Sequence, residues 1–320
     1  MDYVPLGRAG VKVSPLCLGC MNFGDPTDED ESIRIIHKAL DNGINFIDTA
    51  NVYNRGVSEK IVGKAIRDRR EDVVLATKVH GKMGDGPNDR GNHRYHIMQQ
   101  VEASLQRLQT DHIDLYQLHR PDPSTPIEEQ LWAMDNLIRQ GKVRFAGTST
   151  FPAWQLCESL WTSDRRNMHR FVCEQPPYSI FCRYIERNVL PFCDKYHFGV
   201  IPWSPLAGGW LAGKYRKGEE PPEGSRADRR DWDMEAPINQ KRLDAVEDLI
   251  PLAKDYGATL SQFALAWTLA NPTVTSPIIG PRTEDHLDDN LGALEVDMDQ
   301  DALDRVDEIV APKSDLMGIS

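Results

Sequence analysis

Short apolar, β-rich runs alternate with longer amphipathic runs along this chain, and that alternation restricts its fold more than any other feature. The short runs fall at 16–20, 44–48, 73–77, 113–118, 143–147, 171–174, 199–202 and 275–279. Helical patterns lie between them, at 31–42, 59–69, 97–108, 127–140, 154–161, 185–196 and 243–256. Val101, Leu105 and Leu108 recur at three- and four-residue spacing, which marks one apolar helical face. Strands alternating with helices make parallel βαβ units. Eight such units favour an α/β fold closed as a (β/α)₈ TIM barrel over an open doubly wound sheet. No Gly-x-Gly-x-x-Gly follows the first run, where a dinucleotide-binding sheet of the open type needs it. The length, 320 residues, suits one barrel domain over 1–320, and no interdomain linker, repeat or low-complexity tract interrupts it.

Two irregular stretches break the alternation. Residues 81–93 are rich in Gly, Asn and Asp, and residues 214–237 are dense in Pro, Gly and mixed charge. They follow the third and seventh runs, so both belong at the C-terminal mouth of a barrel, where long loops serve as lids or specificity loops. The tail beyond Ala311 reads as weakly ordered.

Composition narrows the partners. The formal net charge is -12, which argues against nucleic acid or an anionic membrane as the main partner. There is no apolar run of about 18 residues and no signal-peptide pattern at the start. Cys17, Cys20, Cys157, Cys173, Cys182 and Cys193 sit mostly in apolar runs, as free thiols in a reducing cytosol would. Cys17-x-x-Cys20 has no second Cys or His pair to complete a zinc site, so no metal is expected.

Barrel enzymes build their sites where strands end. The second run ends in Asp48, with Tyr53 in the next loop. The third ends at Lys78, and the fourth at His119-Arg120. An acid, a phenol, an amine and an imidazole thus leave three neighbouring strands on one face. This set suits carbonyl reduction. Hydride arriving at carbon leaves charge on oxygen, and that oxygen needs a proton. Tyr53 can supply it; Lys78 would favour the phenolate, Asp48 would hold Lys78, and His119 would orient the substrate oxygen.

At these residues the sequence resembles the aldo-keto reductase superfamily. GINFIDTANVYNRGVSEKIVGKAI at 43–66 is similar to that family's first signature. LATKV at 75–79, IDLYQLHRPD at 113–122, GKVRFAGTST at 141–150, IPWSPLAGGWLAGKY at 201–215 and SPIIGPRTEDHLDDNL at 276–291 follow in the family's order. The likeness runs from about Leu6 to about Val310 and is nearest to the bacterial aryl-alcohol-dehydrogenase-like and potassium-channel β-subunit-like branch. It implies a tetrad of Asp48, Tyr53, Lys78 and His119. It also implies NADP(H) as cofactor, with Ser149 and Gln175 on the nicotinamide carboxamide and Trp203 stacked on the ring. Ser204, Leu206, Gly208 and Lys214 fall to the pyrophosphate loop; Gly280, Arg282, His286, Asp289 and Asn290 to the adenosine end; Gly19 and Met21 to the pocket floor. Thr150 stands where Asn is usual, and His286 where Gln is. Arg282, before a short helix expected over Glu284–Leu291, suits the 2′-phosphate of NADP, since a guanidinium matches phosphate in bidentate geometry.

Other readings remain. Gly208 to Lys214 nearly forms a P-loop, but Tyr215 stands where Ser or Thr must hold magnesium. A redox-sensing regulatory subunit would keep the same tetrad, and so would a ketoreductase dedicated to one biosynthetic substrate, such as a sugar-nucleotide ketone. Met21, Phe23, Tyr53, Trp203 and the 81–93 loop are expected to line the pocket. The substrate is a small carbonyl compound of unread shape. Oligomeric state is not legible; Trp154, Trp161 and Trp232 suit an interface or ordinary packing.

Overall fold

The computed structural model describes residues 1–319. The chain opens with a short antiparallel hairpin, β1 (Val4–Pro5) and β2 (Lys12–Val13). Eight parallel strands follow: β3 (Cys17–Gly19), β4 (Phe46–Asp48), β5 (Val74–Val79), β6 (Ile113–Leu118), β7 (Val143–Ser149), β8 (Cys173–Gln175), β9 (Gly199–Val200) and β10 (Ile278–Ile279). They pair in the order β10-β3-β4-β5-β6-β7-β8-β9. The remaining seam is tied by Thr275 N–H to the Val200 carbonyl at 2.8 Å and Ile278 N–H to the Pro202 carbonyl at 2.8 Å. The fold is a (β/α)₈ barrel, and each expected run overlaps one of its strands, with β5, β7 and β8 running past the expected ends.

Residue alternation sets what the strands enclose, because successive strand side chains point to opposite faces. Phe46, Val74, Ala76, Leu115, Cys173 and Ile201 form an inner cluster, which Leu6 and Val13 of the hairpin segment cap from below. Leu18, Ile47, Leu75, Val79, Tyr116 and Leu118 belong instead to the larger core beneath the helices. One further step along the inward-facing rows comes Asp48 on β4, Lys78 on β5, Gln117 on β6 and Gln175 on β8, all buried. The same period of two therefore gives an apolar floor and a polar upper layer.

The helices are α1 (Glu29–Asp41), α2 (Val57–Ala65), α3 (Arg94–Leu108), α4 (Ile127–Arg139), α5 (Ala153–Arg166), α6 (Val189–Tyr196), α7 (Arg226–Arg229), α8 (Pro237–Asp255), α9 (Leu260–Ala270), α10 (Glu284–Leu291) and α11 (Gln300–Ile309). Expected ends shift where local chemistry intervenes. α2 stops at Ala65 and gives way to a 3₁₀ turn over Arg67–Asp72. α8 begins at Pro237, a residue pre-set for a first helical turn. α9, closed by a Thr259–Gln262 capping box, is buried on nearly every side, so it lacks the amphipathic period that betrays a surface helix.

The tail beyond Ala311 is corrected outright: it is docked. Arg183 N–H bonds the Ser314 carbonyl at 2.8 Å, Leu316 N–H bonds the Phe181 carbonyl at 2.8 Å, and the Arg242 guanidinium holds the Leu316 carbonyl at 2.6 and 2.8 Å. Phe23, expected on the pocket wall, is fully buried in the main core. Among the described residues, no helix is long and apolar enough to cross a membrane.

Candidate active site

The polar upper layer is one connected network. Lys78 Nζ lies 2.5 Å from Asp48 Oδ1, 2.9 Å from the Thr49 carbonyl and 3.2 Å from the Tyr53 hydroxyl. The other Asp48 oxygen accepts from Gln117 Nε2 at 3.1 Å and Gln175 Nε2 at 3.0 Å. Strand β5 runs on to Val79, past its expected end at 77, so Lys78 is held inside the parallel ladder, paired with Gln117 of β6. Tyr53 begins a 3₁₀ turn over Tyr53–Gly56, and its ring meets His119 edge-on at 5.7 Å. Asp48, Tyr53, Lys78 and His119 thus come together, as their strand-end positions imply.

Burial and charge set the protonation of this group. Burial alone would push Lys78 down, but Asp48 and Tyr53 more than offset it and hold the ammonium above its ordinary range. Burial pushes the Tyr53 phenol up; Lys78 opposes this without overcoming it. The expected shift toward the phenolate is thereby corrected in net direction: burial outweighs Lys78, and Tyr53 keeps its proton at neutral pH. Burial, reinforced by Lys78, Arg120 and His80, pushes His119 down to about 2, so its imidazole is neutral. A protonated phenol and a neutral imidazole at one end of the barrel can donate to an oxygen on which negative charge develops, with the Lys78 ammonium behind the phenol.

Residues expected at a cofactor line the same end of the barrel. Ser149 closes β7 and donates to the Gln175 carbonyl at 2.9 Å. Gln175 closes β8, with its amide on Asp48 and Gln117. Trp203 follows β9, with the Arg120 guanidinium 5.6 Å from its ring centre. Gly19 ends β3, where an added Cβ would stand 2.5 Å from Ile278 Cγ2, a packing need that alone explains the glycine. Met21 lies exposed beside it. After Trp203 the backbone turns left-handed at Ser204, Ala207, Gly208 and Gly209, with Leu206 between, and without side chains the two glycines admit close approach.

At the far end, Gly280 follows β10, and its carbonyl accepts from Asn22 Nδ2 at 3.2 Å. Arg282 precedes α10, which carries His286, Asp289 and the buried Asn290. Asp289 accepts from Thr259 Oγ1 at 2.9 Å, which joins α10 to α9. Arg282 does not pair with Glu284, which faces Arg34 and Lys38 instead. Lys214 is lowered by burial and then by Arg282, Arg226 and Arg229, so these four cations crowd one patch. Burial, with Arg282 and Lys214, lowers His286 as well. A left-handed glycine turn beside clustered cations fits a phosphate-bearing cofactor.

The aldo/keto reductase family profile matches residues 15–311. A Bacillus subtilis protein named uncharacterized oxidoreductase YrpG is 44% identical, covering 97% of this chain and 96% of its own. Arabidopsis thaliana and Schizosaccharomyces pombe proteins named probable and putative voltage-gated potassium channel subunit beta are 38% and 37% identical over 98% and 95% of this chain, and 98% and 92% of their own. The chain belongs to the aldo/keto reductase family. It is an oxidoreductase of that family, whose members generally use NAD(P)H.

Some residues of this aldo/keto reductase escaped the sequence reading. Arg226 and Arg229 lie on α7, inside the irregular 214–237 stretch. Arg226 Nη1 would sit 3.2 Å from a Cβ on Gly208. Ser225, which accepts from Asp228 N–H at 3.2 Å, is the cap that could have revealed this helix. Gln117 carries no signature in sequence, yet its amide holds Asp48. The near-P-loop at Gly208 to Lys214 is a 3₁₀ turn over Ala207–Ala212, and Tyr215 is buried behind it.

Proposed function

We propose that this aldo/keto reductase reduces aldehydes or ketones to alcohols with NADPH, and that Tyr53 is the proton donor. The observation that carries the reading is the Tyr53 hydroxyl, 3.2 Å from a Lys78 ammonium that Asp48 anchors. When bound, the reduced nicotinamide would supply a hydride, which is one proton with two electrons, to the carbonyl carbon. Tyr53 gives its proton to the carbonyl oxygen, and Lys78 stabilises the phenolate left behind. His119, neutral, donates to the same oxygen and orients it. Ser149 and Gln175 are the candidates for the carboxamide, Trp203 for the ring face, and the 204–209 turn with Arg226 for the pyrophosphate. Arg282, with Lys214 and Arg229 near it, suits the 2′-phosphate.

The test is NADPH oxidation, followed by absorbance, against aromatic and aliphatic aldehydes, dicarbonyls and ketones. Tyr53→Phe is expected to fold, bind NADPH and lose most turnover; a variant that keeps turning over removes Tyr53 as donor. Arg282→Ala is expected to weaken NADPH far more than NADH. Equal weakening would take Arg282 off the 2′-phosphate.

Likeness to proteins named channel β subunits favours a second reading, an NADP-retaining regulatory subunit with slow turnover. Cofactor that stays bound through purification, together with negligible turnover across the panel, would select it over the reductase.

A further inference from the structure

We propose that Arg120 selects carbonyl substrates that carry a carboxylate a few atoms from the reacting carbon; this rests on the reductase reading of the same site. Arg120 follows His119, and its contacts with Trp203, Ser149 and Thr150 place its guanidinium at the end of the barrel that holds Tyr53 and His119. The side chain is exposed, and one nitrogen ties it down. Nη1 donates to Thr150 Oγ1 at 2.9 Å and to the His119 carbonyl at 2.9 Å, and lies 3.5 Å from Ser149 Oγ. The Trp203 ring stands beside it, 5.6 Å from Cζ. These contacts all fall on one nitrogen and, among the described residues, leave the others without a hydrogen bond. Among the described residues, no carboxylate lies within ion-pair distance of it.

The neighbouring acids do not compensate this charge. Asp48 is committed to Lys78. Glu174, buried behind Thr148 and Phe151, is pushed up to about 8 by its burial and stays largely protonated at pH 7. The cation of the tetrad is therefore balanced, and the cation at the mouth is not. An uncompensated, partly immobilised guanidinium beside the reacting atoms is a carboxylate receptor, since its paired N–H groups match the two carboxylate oxygens. In a chain with net charge -12, such a local cation also favours the approach of an anionic substrate. A neutral aldehyde would gain nothing from Arg120.

The experiment compares 4-carboxybenzaldehyde with its methyl ester, two aldehydes alike in shape around the carbonyl and different in charge. kcat/KM is measured for wild type, Arg120→Met and Arg120→Lys with NADPH. Binding of terephthalate to the NADPH-loaded proteins is followed in parallel by tryptophan fluorescence. Wild type is expected to prefer the carboxylate. In Arg120→Met the ratio of the two kcat/KM values should fall about 10- to 100-fold, the scale of one charge-assisted pair. Terephthalate should weaken in step, and Arg120→Lys should recover part of both. A ratio that stays constant while both aldehydes slow together would overturn the proposal and make Arg120 a cofactor or His119 support. Terephthalate affinity that ignores the substitution would overturn it too. If no aldehyde is reduced by any variant but terephthalate still depends on Arg120, the anion receptor stands and the reductase reading falls.

Discussion

Asp48 and Lys78 have side-chain exposures of 2% and 0%, so either one left alone is a bare charge in a low-dielectric interior. Removing one partner of such a pair costs about 3–5 kcal/mol. Lys78→Met should therefore lower unfolding free energy by that amount in urea titrations. The double variant Asp48→Asn/Lys78→Met should be less damaged than the two single losses combined, with a coupling of about 0.5–3 kcal/mol; additive losses would mean that the pair is not the stabilising unit. Glu174 makes a prediction of opposite kind. Its folded carboxyl is pushed up to about 8 by burial, against an ordinary value near about 4.3. The folded chain thus keeps a proton that the unfolded chain releases. Its contribution is complete below the unfolded value and drains as pH rises toward the folded one, by up to about 1.4 kcal/mol per pH unit. Glu174→Gln, which can still accept from Phe151 N–H, should flatten that decline between pH 5.5 and 8. Parallel slopes for the two proteins would rule Glu174 out as its source.

Among the elements, the 81–93 stretch is held by its neighbour. Asp122, beyond β6, accepts from Asn92 N–H at 2.7 Å, Ser124 N–H at 3.0 Å and Thr125 Oγ1 at 3.1 Å. Gly91 stands so close, at φ +95°, that an added Cβ would lie 2.9 Å from Asp122 Oδ2. Asp122→Ala should cost about 1–3 kcal/mol, the desolvation penalty of stranded donors, and should speed protease cleavage within 81–93; unchanged cleavage would mean the loop is held elsewhere. Barrel strands were legible because their apolar runs are short, β-rich and separated by longer amphipathic runs. The tetrad was legible because its residues sit at strand ends in recognisable order. What escaped has physical reasons. β1 and β2 hold two residues each, too few to show alternation. α9 is apolar all round, and α7 has a single turn. The tail's docking rests on backbone carbonyls, which carry no sequence signature. Whether burial or Lys78 wins at Tyr53 depends on depth, which no motif encodes.

For the molecule as a whole, an acidic chain gathers Lys214, Arg226, Arg229 and Arg282 at one end of a proposed cofactor groove. Screening weakens such a patch, so apparent KM for NADPH should rise between 20 and 300 mM NaCl, roughly the range over which the Debye length shrinks from beyond 20 Å to under 10 Å. NADH, lacking the extra phosphate, should respond less; identical salt slopes would argue against a phosphate there. Tyr3 and Leu316 lie toward opposite poles of the barrel. Tyr3 reaches the Gly43 carbonyl at 3.1 Å and Leu6 caps the floor, whereas the segment around Leu316 is bound to Phe181, in the loop that leaves the mouth end of β8. Attachment to a support is therefore not symmetric. A copy held by the face around Tyr3 presents its opening to the bulk liquid, and one held by the face around Leu316 turns that opening toward the support, where diffusion of a bulky ligand is slowest.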